Sequence, residues 1–163
     1  MKRYKWFIIL LNLIFLLVYF NHSVAKKEAL LKDGQLILLA LAPVDPRSLM
    51  QGDYMALRYD ISEDIISHKN IPKRGYCVVR LDSNNVANKV RFQKDLTPLN
   101  AGEYLIEYTS PNSWNVNIGA ESFFFQEGRA EKYEMAKYGG VKVDKSGNSL
   151  LIGLYDEQRR KIE

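Results

Sequence analysis

The chain has 163 residues, 47% hydrophobic, 26% charged and 12% aromatic, which is enough apolar material for one packed domain and excludes intrinsic disorder. Three of the four net positive charges, Lys2, Arg3 and Lys5, lie in residues 1–25. The remainder carries a net +1 with no basic run or basic helix face, so nucleic-acid binding finds no support. The single cysteine, Cys77, rules out an internal disulfide. In Tyr76-Cys77-Val78-Val79 it reads as a small hydrophobe in a buried strand, with neither His22 nor His68 placed as its base.

The first predicted element is a membrane helix. Trp6–Phe20 is fifteen residues long with only Asn12 polar. Extended from Tyr4 to Val24 it reaches about twenty residues, enough at roughly 1.5 Å per residue to cross a hydrocarbon core. Tyr4, Trp6 and Tyr19 sit near its ends, where amphipathic rings favour the interface. Lys2, Arg3 and Lys5 precede the run, and Lys26 and Lys27 follow it. This slight bias places the N-terminus in the cytoplasm and the rest of the chain in the extracytoplasmic (periplasmic) space, on a single-pass anchor of the inner membrane. A competing reading is a signal peptide cleaved after Ala25, because Ser23-Val24-Ala25 has small residues where the peptidase needs them. Residues 1–25 are expected to be the anchor, and residues 26–34 a helix continuing out of the membrane and stopped at Gly34.

From Gln35 short apolar runs alternate with turn signals, the pattern of a β-rich domain over residues 35–155. Leu36–Ala42 is apolar on both faces. In Asp53–Ile61 the residues Met55, Leu57, Tyr59 and Ile61 face one way and Tyr54, Ala56, Arg58 and Asp60 the other, which predicts a half-buried strand. Gly75–Leu81 and Val86–Phe92 are joined by the hairpin turn Asp82-Ser83-Asn84-Asn85, and Glu103–Thr109 follows. Trp114–Phe125 supplies one or two more strands. Glu127–Tyr138 predicts a helix with Ala130, Tyr133 and Ala136 inward, stopped by Gly139-Gly140. A hairpin closes the domain: Val141 and Val143, a turn at Asp144–Asn148, then Leu150, Ile152 and Leu154. Residues 156–163 form a charged tail expected to fray. The fold class is α+β, predominantly β: one transmembrane helix, then an antiparallel barrel or sandwich of about eight strands with one helix.

Gly52-Asp53-Tyr54-x-x-Leu57-x-Tyr59 resembles the pattern for which the GDYXXLXY proteins are named. The likeness extends to Lys27-Glu28 after the anchor, to the PVDPRSLMQGDYM stretch, to Phe123-Phe124-Phe125-Gln126-Glu127-Gly128 and to Leu151-Ile152-Gly153-Leu154. It implies a bacterial, membrane-anchored extracytoplasmic protein, in some cases encoded beside multi-spanning membrane proteins, and it transfers no activity, catalytic residue or cofactor.

The residues of this segment admit three readings. In the first, Asp45-Pro46 and Gly52 build a turn into the strand, Asp53 caps it or pairs with Arg47, and Leu57 and Tyr59 lie in the core. In the second, Asp45, Arg47, Asp53 and Tyr54 converge at one sheet end as a recognition surface for a partner, with Tyr54 turned away from the core. In the third, Asp45 and Asp53 form an acid pair of an envelope hydrolase or a divalent-metal or small-ligand site. No third ligand type accompanies the two acids, and Ser48 has no identifiable base. The triple Phe123-Phe124-Phe125 must put rings on both faces of a strand, with helix packing expected on one. The function favoured is a non-catalytic accessory module, held in the bilayer by its helix and docking on a multi-spanning membrane protein or envelope component. An enzyme remains the alternative.

Overall fold

A computed structural model describes residues 2–42, 50–51, 54–63, 71–111 and 116–163. Helix α1 runs unbroken from Lys2 to Asp33, so the expected anchor and the segment after Ala25 are one rod. Its apolar side chains from Tyr4 to Phe20 are all exposed, and the helix is long and apolar enough to cross a membrane. A helix that is apolar all round has no single stripe to lay on a core, which is consistent with a membrane anchor. Leu30 is the first residue of the helix to be buried. The helix ends where expected: Gly34 N–H donates to the Leu30 carbonyl at 2.9 Å, and Lys142 Nζ donates to the Gly34 carbonyl at 2.7 Å.

The domain contains three antiparallel three-stranded sheets arranged as a sandwich and not closed into a barrel. The strands are β1 (Gln35–Ala40), β2 (Met50–Gln51), β3 (Tyr54–Ala56), β4 (Arg74–Leu81), β5 (Ala87–Gln93), β6 (Glu103–Thr109), β7 (Ser122–Phe124), β8 (Tyr138–Val143) and β9 (Ser149–Tyr155). Their orders are β1-β8-β9, β2-β3-β7 and β5-β4-β6. The β4–β5 turn forms as the sequence indicates: Asp82 Oδ1 accepts the N–H groups of Asn84 and Val86, and Asn85 takes a left-handed φ of 60°. The core joins Ile37 and Leu39 of β1, Cys77 and Val79 of β4, Ile106 and Tyr108 of β6, and Val141 and Leu154 of the last hairpin. Cys77 is wholly buried, and burial pushes its thiol up to about 12, far from a reactive thiolate.

Three expectations are corrected. The helix predicted over Glu127–Tyr138 shrinks to α2, Ala130–Tyr133. Its C-terminal half is drawn into β-pairing instead: Leu41 N–H donates to the Lys137 carbonyl, Lys137 N–H to the Tyr155 carbonyl, and Tyr138 opens β8. Gly139 and Gly140 are therefore strand residues and no helix stop. A Cβ at Gly139 would lie 2.7 Å from the Tyr59 ring, and one at Gly140 2.2 Å from the Tyr155 ring, so glycine lets two buried aromatics cross the sheet. The strand predicted to Ile61 pairs only over Tyr54–Ala56, then runs through a Leu41–Tyr59 bridge into a 3-10 turn at Asp60–Ser62. The tail folds back: Ile162 N–H donates to the Leu154 carbonyl, and Lys161 bridges to Tyr155.

Candidate interaction surface

The segment Tyr54–Ile61 keeps the predicted two-sided character although its strand is short. Met55, Leu57, Tyr59 and Ile61 are buried, whereas Ala56, Arg58 and Asp60 are exposed and Tyr54 is half-buried. The inner side chains staple the fold. Tyr59 is fully buried, and its hydroxyl donates to the Ala120 carbonyl at 2.6 Å. Burial, reinforced by the nearby Glu121 carboxylate, pushes the Tyr59 phenol well above its ordinary pKa, which keeps it a donor. Leu57 N–H donates to the Glu121 carbonyl at 2.7 Å, and Glu121 itself caps the preceding turn by accepting the N–H groups of Ile118 and Gly119. Leu57 and Tyr59 thus hold β3 to the loop that leads into β7.

Strand β7 carries the triple phenylalanine, and alternation splits it. Phe123 and Phe125 turn inward onto Tyr133 of α2, with ring centroids 5.0 Å and 5.4 Å away. Phe124 turns outward and is 74% exposed. Directly opposite it in register stands Tyr54, with ring centroids 5.8 Å apart and planes tilted by 40°. Cross-strand aromatic pairs stabilise a sheet by less than about 1 kcal/mol, so pairing alone is a weak reason to leave a phenylalanine in solvent. Fully covering such a ring would contribute about 2 kcal/mol, which makes it a natural contact point.

Of the four residues expected to converge here, Asp45, Arg47 and Asp53 lie outside the described residues. Tyr54 is placed, and on the predicted outward side. Phe124 was missed as a member of the surface. The sequence signal was the odd ring of the triple, but its partner across the sheet could not be read locally. Beside the surface, Leu57, Arg58, Ser62, Glu63, Val116 and Glu121 line a cleft of about 310 Å³ that no sequence signal marked. Among the described residues no group of three His, Cys, Asp or Glu side chains could hold a metal ion.

A family model described as GDYXXLXY protein matches residues 16–154, most of the chain. No curated protein and no solved structure matches it.

Proposed function

We propose that this chain, which belongs to the GDYXXLXY family, is a membrane-anchored accessory module that docks on a partner in the envelope through its outward aromatic pair. The apolar helix supports the anchor, and Lys2, Arg3 and Lys5 before it favour an inner-membrane orientation with the domain outside the cytoplasm. The observation that carries docking is Phe124, three-quarters exposed and backed by Tyr54 on a short sheet whose other face already satisfies the core. A domain whose net charge is only +1 favours an apolar and hydrogen-bonding contact over long-range electrostatic capture. A multi-spanning membrane protein fits best, because the tether confines encounters to the membrane plane and raises effective concentration.

A photo-cross-linker placed at position 124 of the full chain in its native membrane tests this reading. One discrete adduct should form, and it should weaken on adding Tyr54→Ala in a domain that still unfolds cooperatively. A smear without a discrete band, or an adduct indifferent to Tyr54, would defeat it.

A further inference from the structure

The geometry points to a binding site for the headgroup of an anionic phospholipid, at the junction of α1 with the β8–β9 hairpin. It rests on α1 crossing the bilayer as proposed above.

Lys5 and Lys26 are the last and first cations flanking the apolar run, and they stand 21 residues apart on one continuous helix. At about 1.5 Å per residue that is about 31 Å, the thickness of the hydrocarbon core. Lys26 therefore sits where acyl chains give way to headgroups. Leu30, four residues further on, lies about 6 Å higher, across a headgroup layer of about 5–7 Å per leaflet.

Two grooves open at this depth, where the helix meets the domain. The larger, about 520 Å³, lies between Lys26 and Leu30 on α1 and Tyr104, Val143 and Lys145 on the domain. The smaller, about 210 Å³, runs from Lys26 and Lys27 to Leu150. Their lining includes an apolar floor at Leu30, Val143 and Leu150 and three ammonium groups, those of Lys26, Lys27 and Lys145. None of these three lysines forms an ion pair among the described residues. Two carboxylates, Asp33 and Asp144, share the lining; Asp144 accepts the N–H groups of Ser146 and Asn148 and the Asn148 side-chain amide, neutral donors that fix its position and leave its charge in place. Over the two grooves three lysines therefore stand against two aspartates, an excess of one positive charge. Lys142 takes no part, because its ammonium is bound to the Gly34 carbonyl.

A phosphodiester bearing net negative charge complements that excess, and its first acyl methylenes complement the floor. A bound lipid would fix the hairpin turn against the bilayer and set the height of the domain above it.

The test extracts the full chain from mixed phosphatidylcholine and phosphatidylglycerol bilayers and weighs retained lipid by native mass spectrometry. The wild type should retain phosphatidylglycerol selectively, and added inorganic phosphate should not displace it. The triple variant Lys26→Gln, Lys27→Gln, Lys145→Gln should lose that preference by about tenfold or more, with Lys132→Gln on α2 as an unaffected control. Equal retention of both lipids, a preference that survives in the triple variant, or displacement by free phosphate would overturn the assignment. A chain inserted in the bilayer but without lipid preference defeats this inference alone, whereas a chain that never enters the bilayer defeats the anchor reading as well.

Discussion

The two faces of the β3–β7 ladder use the same kinds of side chain for opposite ends. Inward, Met55, Phe123 and Phe125, with Tyr59 just beyond the strand, are covered by the core or by Tyr133, and the one polar atom among them, the Tyr59 hydroxyl, has its acceptor. Outward, Tyr54 and Phe124 touch each other, and the phenylalanine meets mostly water. The inner aromatics are accounted for by folding. The outer pair contributes little to folding, which is why the proposed docking contact is placed there.

Substitutions can break or sharpen this contrast. Tyr59→Ala should have the largest effect, lowering the unfolding free energy by about 4 kcal/mol, because it empties a fully enclosed ring site. Gly139→Ala should cost about 2–3 kcal/mol by driving a methyl group into that same ring. Tyr59→Phe keeps the packing and strands the Ala120 carbonyl, at about 1 kcal/mol. These three are measured by denaturant unfolding of the full chain in detergent. Phe124→Ala should change stability by no more than about 0.5 kcal/mol while weakening the partner complex by about 2 kcal/mol, or roughly 30-fold. A Phe124→Ala loss as large as that of Tyr59→Ala would erase the distinction between the faces.

The last prediction concerns the acid range. At the start of β6, the buried Glu103 accepts both Arg91 guanidinium hydrogen bonds at 2.9 Å, and Asn100 N–H at 3.0 Å, with Arg80 3.5 Å away. Chiefly the Arg91 hydrogen bond, then the Asn100 amide, hold its carboxyl at about 2 against an ordinary 4.5. A depressed folded-state pKa stabilises fully above the unfolded value, so this contribution is constant above about 4.5 and is lost as pH falls toward 2. Glu103→Gln should flatten that part of the acid-unfolding curve, read by circular dichroism.

Much of the architecture was legible in the residues. Trp6–Phe20 read as an apolar helix long enough to cross a membrane, Gly34 ended it, and the period of two placed Met55, Leu57, Tyr59 and Ile61 inside with Tyr54 outside. Asp82–Asn85 and Asp144–Asn148 named their own turns. Two local signals misled. EGRAEKYEMAKY has strong helix formers, yet only one turn survives because Lys137 and Tyr138 are claimed by strands far away in sequence. Gly139-Gly140 looked like a stop, yet serves as clearance for Tyr59 and Tyr155. The outward aromatic pair was half legible. Tyr54 was found by alternation, and Phe124 could not be assigned to it, since nothing near either residue announces a partner seventy positions distant.

By itself the sequence determined the long apolar helix, the strand faces and the turns, because each depends on hydrophobicity or backbone chemistry repeating within a few residues. The tertiary structure decided which sheets form, which glycines must stay bare and which aromatic is left outside. Those outcomes depend on backbone pairing and excluded volume between segments far apart along the chain, such as Tyr59 and Ala120, separated by 61 residues.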